Sequence, residues 1–185
     1  MPSFPLSVGA AVFAMAALLM TGCTASPLPT TLTFRGTALT RGTEWAEQGV
    51  SAVVFVGPGQ AMPGAALQVG VIHSADHASG EVLHQRVMQS FTRSGVVTYH
   101  VDSRNDEACK AGVANPPSGP RPFLAIHVCR TGVGQSACAE VDEQVTGSDV
   151  ACLVREECAR TMCAARWAAA RAELTPVVER VLTQR

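Results

Sequence analysis

Six of the seven cysteines in this chain of 185 residues lie in one stretch, between positions 109 and 163. They are Cys109, Cys129, Cys138, Cys152, Cys158 and Cys163. An even number of cysteines predicts disulfide bonds wherever the compartment is oxidising, and such bonds restrict the folds that the chain can adopt. The alternative is a zinc site, which this pattern does not favour because no CxxC pair is present.

The predicted helix after position 149 narrows the disulfide pairing. Cys158 and Cys163 are five residues apart on that helix. They therefore point in different directions, which excludes a bond between them. We expect the helix cysteines to bond to the region of Cys109, Cys129 and Cys138. The segment 129–138 can also form a hairpin loop closed by its two terminal cysteines. The connectivity stays open at this point.

An apolar run precedes the seventh cysteine. Residues 8–20 contain no charged side chain. A helix of ~13 residues rises only ~20 Å, which is short of a bilayer core of roughly 30 Å but fits the apolar segment of a signal peptide. The run ends in Met20-Thr21-Gly22-Cys23. This ending resembles the lipobox of bacterial lipoproteins, which is an aliphatic residue, a small residue, a Gly or Ala, and the cysteine that receives the lipid.

The resemblance implies a membrane anchor. Residues 1–22 would be a signal peptide, Cys23 would carry a thioether-linked diacylglycerol and an N-acyl chain, and residues 23–31 would be a tether. Thr24 follows Cys23, and the absence of Asp at that position implies the outer membrane, facing the periplasm. We expect no other cofactor. The alternatives are an ordinary secretory signal cut near Ala25 or Ser26 and a weak membrane helix.

Charge and composition limit the partners. The chain has 14 Lys and Arg and 15 Asp and Glu residues, for a net charge of −1. No basic patch stands out, so we expect no nucleic-acid partner. The length of the segment 32–185 fits one domain of ordinary size.

Hydrophobic periodicity predicts the fold class. Strands are expected at 31–39, 51–56, 67–73, 96–101 and 123–128, and helices at 80–94 and 149–174. Pro176 should break the last helix, so that a further helix runs to about position 183. We therefore predict an α+β fold: a single disulfide-bonded domain with a mixed β-sheet of about five strands covered by helices.

One polar cluster is a candidate metal site. His73, Asp76 and His77 would share a helix face, and two imidazoles with a carboxylate can bind zinc. His84 offers a possible extra ligand. The alternative is that these residues lie on an ordinary strand-to-helix loop, where polar side chains are common.

No motif supports nucleophilic catalysis. The patterns GxSxG and SxxK are absent. A Cys/His enzyme would need a free thiol near His100 or His127. These two histidines alternate with apolar residues in predicted strands, which is typical of solvent-facing or hydrogen-bonded core positions.

No residue pattern determines a biochemical activity. We expect a membrane-anchored envelope lipoprotein that acts without catalysis, as a binding, assembly or structural factor for a protein partner in the envelope. One alternative is a periplasmic metal-dependent hydrolase that uses His73, Asp76 and His77. Another is a soluble secreted protein without a lipid.

Overall fold

The computed structural model describes residues 28–47, 49–62, 65–75, 79–93, 96–115 and 119–184. The signal segment, the tether up to position 27 and Cys23 lie outside these residues, as do Asp76 and His77. None of the described helices combines the length and the apolarity that are needed to cross a bilayer.

The described residues form an eight-stranded antiparallel sheet and three helices. In chain order these are β1 (Leu32–Phe34), β2 (Thr37–Glu47), β3 (Val50–Val56), β4 (Leu67–Ser74), α1 (Gly80–Arg93), β5 (Val97–Arg104), β6 (Glu107–Ala114), β7 (Arg121–Thr131), β8 (Ser136–Gln144), α2 (Ser148–Leu153) and α3 (Glu156–Thr183). The strand order in the sheet is β1-β2-β3-β4-β8-β7-β6-β5. Helix α1 therefore carries the chain from the centre of the sheet to its far edge, and β8 returns to pair with β4.

The prediction of a mixed sheet of about five strands is wrong. Every strand pairing among the described residues is antiparallel, the sheet has eight strands, and the fold is mainly β. Strand β2 has few buried side chains, so it lacks the alternation that marks a half-buried strand. Strands β6 and β8 carry charged residues at buried positions, which hides them from a hydrophobicity pattern.

Helix α3 covers one face of the sheet. Its buried residues recur at steps of three and four and form one continuous stripe. They are Ala159, Cys163, Trp167, Ala170, Leu174, Val178 and Val181. The stripe packs on alternate residues of the central strands, among them Phe55, Val71 and Ile126. The predicted break at Pro176 is wrong: the helix continues through this residue, because buried Leu174 and Val178 hold both sides of it against the sheet.

Helix α1 covers the opposite face. Leu83 and Val87 pack there on Ile72, Phe123 and neighbouring residues of the sheet. The helix begins very close to β7, because a Cβ atom at Gly80 would lie 2.9 Å from the carbonyl carbon of Arg130. The Gly80 N–H donates to Thr131 Oγ1 at 2.7 Å. This close approach places α1 directly over β7 and β8.

The six cysteines of the described residues form three disulfides, which confirms the expectation of disulfide bonds. Cys109 of β6 bonds to Cys163 of α3, so one helix cysteine does bond to the sheet. For the other two cysteines of the predicted helix the expectation is wrong, because Cys158 bonds to Cys152 of α2. Cys129 bonds to Cys138 across the β7–β8 hairpin, as a hairpin closed by these two residues requires. Cys109–Cys163 is the bond that holds the sheet to the long helix.

We expect replacement of both Cys109 and Cys163 by alanine to lower the free energy of unfolding by about 4 kcal/mol, because their bond closes a loop of sequence separation 54. Alanine at both Cys152 and Cys158 is the matched control. It opens a loop of separation 6 and should cost about 2 kcal/mol. Urea denaturation of the two variants measures the difference. Equal losses would show that loop length does not govern the effect.

Candidate functional site

The structure places only one residue of the predicted metal cluster. His73 lies near the end of β4, and its Nε2 is 2.7 Å from Gln135 Oε1. The amide of Gln135 in turn donates to the Leu182 carbonyl at 2.8 Å. His73 is in register with Ala137, which belongs to the core under α3, whereas His84 lies on α1. The two histidines are thus on opposite faces of the sheet, and the metal-site prediction stays a prediction.

A different polar cluster lies beneath α1. His127 of β7 and Glu140 of β8 are direct cross-strand partners. Alternate residues of β7, such as Ile126 and Val128, pack under α3, so His127 points to the other face, toward α1. There His127 meets His84 of the helix. Both imidazoles are fully buried.

Two hydrogen bonds link Ser103, His84 and His127, and the Glu140 carboxyl group lies close to the buried end of this chain. His84 Nδ1 lies 2.7 Å from His127 Nε2, and His84 Nε2 lies 3.0 Å from Ser103 Oγ. At the other end, His127 Nδ1 is 3.4 Å from Glu140 Oε2. Neither of these last two atoms has a hydrogen-bond partner among the described residues. A movement of about 0.5 Å would bring them to hydrogen-bond distance. The chain connects a buried carboxyl group to an exposed hydroxyl group.

Once Glu140 and His127 are at hydrogen-bond distance, the protonation of Glu140 determines the direction of every hydrogen bond in the chain. When Glu140 is ionised, His127 keeps its proton on Nδ1 and accepts a hydrogen bond at Nε2. His84 must then donate from Nδ1, which leaves its Nε2 lone pair to accept the hydrogen bond of Ser103. A protonated Glu140 would donate to His127 and reverse every bond in the chain. Only the ionised form leaves a free base facing the serine.

Burial keeps both histidines neutral near pH 7. Burial, with smaller contributions from His127 and Lys110, lowers the pKa of His84 to about 4. Burial also lowers the pKa of His127 well below its usual value, and the charge of Lys110 acts in the same direction. Neutral imidazoles can each donate one hydrogen bond and accept another, as the chain requires.

A buried ionic group adjoins the histidines. Lys110 of β6 is 1% exposed. Ala125 of β7 pairs with Lys110 on one side and with Asp142 of β8 on the other, so the two charged residues lie two strands apart in the same row of the sheet. Burial lowers the pKa of the Lys110 ammonium, and the charges of Glu140 and Asp142 oppose this effect. Burial likewise raises the pKa of Glu140, against the charge of Lys110. Each buried charge therefore depends on its neighbour of opposite sign.

Arg121 extends this group toward one end of the sheet. Its Nη1 atom donates to both carboxylate oxygens of Asp142, at 3.0 and 3.1 Å, and its Nη2 atom donates to the Ala65 carbonyl. Burial nevertheless raises the pKa of Asp142 to about 6. Perturbed acids and bases concentrated on one buried face are typical of functional sites.

The same histidines lie close to a cysteine, as metal ligands would. His84, His127 and Cys129 place one ligand atom each within 4.8 Å of one another. The Cys129 sulfur, however, is bonded to Cys138 and is not a thiolate. The two imidazole nitrogens are 2.7 Å apart, whereas two nitrogens on a tetrahedral zinc ion are about 3.3 Å apart. The geometry is that of a hydrogen-bonded pair and does not fit a metal centre.

A second polar group lies on the α3 side of the β5–β6 turn. Glu107 accepts hydrogen bonds from Trp167 Nε1 at 3.1 Å and Arg130 Nη2 at 2.7 Å, and Arg171 Nε lies 3.0 Å from the same carboxylate. Burial opposes ionisation of Glu107, but Arg130, Trp167 and Arg171 hold its pKa below the usual value. The Arg104 guanidinium stacks 4.9 Å from the centre of the Trp167 ring. A cleft of about 860 Å³ is lined by Arg104, Glu107, Trp167 and Arg171, among other residues. The Glu107 carboxylate in it already contacts Trp167, Arg130 and Arg171.

The sequence pointed to few of these residues. His84 was expected as an extra ligand for a metal cluster on the other face, and His127 as a core or surface histidine. Ser103, Lys110 and Glu140 were not identified. A signal for Glu140 exists in β8, where Cys138, Glu140 and Asp142 alternate with Ala137, Ala139 and Val141. Two acidic residues at alternate positions opposite an apolar face indicate a strand with a polar, partnered face.

We expect Lys110→Met to lower the free energy of unfolding by about 3 kcal/mol at pH 7.5 and by less at pH 5. The folded pKa values of Glu140 and Asp142 lie above their unfolded values, so the stability that these carboxyl groups contribute is present at low pH and is lost as pH rises. Removal of the ammonium enlarges that loss. Urea denaturation at the two pH values measures the loss in the free energy of unfolding. Arg160→Met, which removes an exposed positive charge from α3, is the control. The same loss at both pH values would contradict the coupling.

No protein-family model matches this sequence, and no curated protein matches it.

Proposed function

We propose that this chain is a lipid-anchored envelope protein that faces the periplasm, where its domain acts as a binding or assembly factor. The observation that carries the proposal is the cysteine pairing. All six cysteines of the described residues pair with one another, so that Cys23 is left as the seventh. Disulfides form and persist in oxidising compartments, which supports export. A lone cysteine at the end of the apolar run is then available for lipid attachment.

The distance between Cys23 and the domain supports a location close to the membrane. Leu28 is buried in the same core as Leu32 and Phe34, so the packed domain begins at or before position 28. Five residue steps span at most about 18 Å when fully extended. A lipid on Cys23 would therefore hold the β1 end of the sheet near the bilayer surface. Partners would be those found within the layer next to the membrane.

The metal-hydrolase alternative gains no support from the described residues. The one member of its cluster that they include, His73, uses Nε2 in the contact with Gln135. Gln135 in turn holds the end of α3 through Leu182. This arrangement joins the β7–β8 turn to the helix, which is a structural use of the histidine.

We expect the wild-type protein, extracted from its native membrane, to begin at Cys23 and to carry the mass of a diacylglycerol and an acyl chain. Cys23→Ser should lack this mass, because serine does not form the thioether. The double replacement of Cys152 and Cys158 by alanine is the matched control, since it removes two other cysteines and should retain the lipid. Intact mass spectrometry after thiol blocking measures all three. An unmodified wild-type protein would contradict the anchor and favour the soluble secreted alternative.

A second variant tests the membrane to which the protein is delivered. We expect Thr24→Asp to move the protein from the outer to the inner membrane, because the residue after the lipidated cysteine directs sorting in the lipoproteins that this N-terminus resembles. Thr24→Ser is the control and should stay in the outer membrane. Separation of the two membranes on a density gradient measures the distribution. The same distribution for both variants would contradict the assignment to the outer membrane.

A further inference from the structure

We propose that Ser103 is the nucleophile of an acyl-transfer site in which His84 is the general base, while His127 and Glu140 are positioning residues for that base. The site would hydrolyse carboxylic esters with an accessible acyl group. This activity goes beyond the proposed function and does not depend on the lipid anchor, so each can fail without the other.

The geometry of the chain carries the proposal. A serine hydroxyl that lies 3.0 Å from an imidazole nitrogen is within reach of a base that can accept its proton. The opposite nitrogen of that imidazole is held at 2.7 Å by His127. In a Ser-His-Asp triad a carboxylate occupies this third position. Here a second imidazole occupies it, and the carboxylate of Glu140 lies one step further along.

The burial of the chain also supports a chemical role. His84 and His127 are fully buried, and Ser103 is the exposed end. Burying a polar group costs free energy unless the group is hydrogen-bonded. A surface serine can be held in place without such burial, so structural support alone does not account for a buried polar chain of this length. A base excluded from water but facing an exposed hydroxyl is the arrangement that serine activation requires.

The position of Ser103 on β5 supplies a donor for an oxyanion. Arg104 and Glu107 pair across a two-residue turn that includes Asn105, whose φ is 51°. Residues that flank such a turn form a hydrogen-bonded pair, so the next pair, Ser103 and Ala108, is a non-hydrogen-bonded one. The N–H of Ser103 therefore points away from β6. No other strand of the described residues lies on that side of β5, and this N–H is free to donate to a developing oxyanion.

The reaction balances with ester and water as the only reactants. Ser103 Oγ attacks the carbonyl carbon as its proton moves to His84 Nε2. The bond from the carbonyl carbon to the alcohol oxygen then breaks, and the alcohol leaves with that proton. Water attacks the acyl-serine, gives a proton to His84, and releases the carboxylic acid as Ser103 regains its hydrogen. The net change is hydrolysis of the ester to an acid and an alcohol.

The surrounding charges change the stability of the imidazolium that His84 forms during the reaction. Asp106 in the β5–β6 turn and Glu81 on α1 favour the positive charge at His84, whereas Lys110 on β6 and His127 on β7 oppose it. His84 is neutral at pH 7 because burial lowers its pKa, so its lone pair is available to Ser103. Ionised Glu140 is needed for the hydrogen bonds to run in the productive direction.

The first test is covalent labelling of the full chain with an alkyl fluorophosphonate, a reagent that reacts with activated serines. We expect one label per molecule, located on Ser103 by peptide mapping. Ser103→Ala should abolish it, while Ser148→Ala, which changes another exposed serine, should retain it. Ser103→Ala leaves the buried His84 Nε2 without its hydroxyl partner, so circular dichroism and thermal melting must show that this variant is folded. A wild type that remains unlabelled, or a Ser103→Ala variant labelled at the wild-type rate, would overturn the proposal.

His84→Gln tests the base. We expect the rate of labelling to fall at least about 100-fold, which is the lower end of what a general base contributes. Hydrolysis of p-nitrophenyl acetate should fall in parallel. Because His84 is buried, circular dichroism and thermal melting must show that the variant is folded. A folded His84→Gln variant with the wild-type labelling rate would overturn the role of His84.

Glu140→Gln tests the positioning role through the pH profile. Wild-type labelling should rise with pH as Glu140 ionises. The variant cannot ionise, so its labelling should be slower and should lose this rise. A purely structural role would lower the melting temperature and leave the pH profile of the folded protein unchanged. His127→Gln gives the same comparison where Glu140→Gln does not fold. A wild-type rate and pH profile in both folded variants would overturn the positioning role.

Discussion

The register between β7 and β8 is the constraint on which the rest of the structure depends. It places His127 opposite Glu140 and Cys129 opposite Cys138, with all four side chains on the α1 face. Side chains alternate along a strand, so a slip of one residue would move this set to the other face. The Cys129–Cys138 bond crosses the same pair of strands and holds this register. Strand β8 also pairs with β4, so β8 connects the half of the sheet formed by β1 to β4 with the half formed by β5 to β7.

The two faces of the sheet differ in how they are stabilised. The α3 face is an apolar core, and Cys109–Cys163 connects it covalently to the helix. The α1 face combines a small apolar cluster with buried charges that include Lys110, Glu140 and Asp142. Polar groups buried in this way contribute little to stability by themselves and require partners of opposite charge. Their concentration under one helix is the reason that we place the proposed acyl-transfer site on this face.

Local features of the sequence predicted the elements with a clear period. The apolar run in β3, the spacing of Leu83 and Val87 in α1, and the cysteines in the β7–β8 hairpin all have local signals. Strands β2, β6 and β8 were missed, because exposure on β2 and charged residues on β6 and β8 conceal the alternation. The continuity of α3 through Pro176 was missed as well. Packing of the residues on both sides of the proline outweighs its local preference to end a helix.

The sequence by itself determined the number of cysteines available for pairing, the apolar run that ends at Cys23, and the positions of the strongest strands and of α1. The tertiary structure alone decided which cysteines bond and which polar residues meet. His84, Ser103, His127 and Glu140 come from four different elements, and the sequence contains no local pattern that links them. Their meeting depends on strand order and register, which are long-range pairings between segments far apart in the chain. For that reason the residues of the candidate site could be named individually from the sequence but could not be assembled from it.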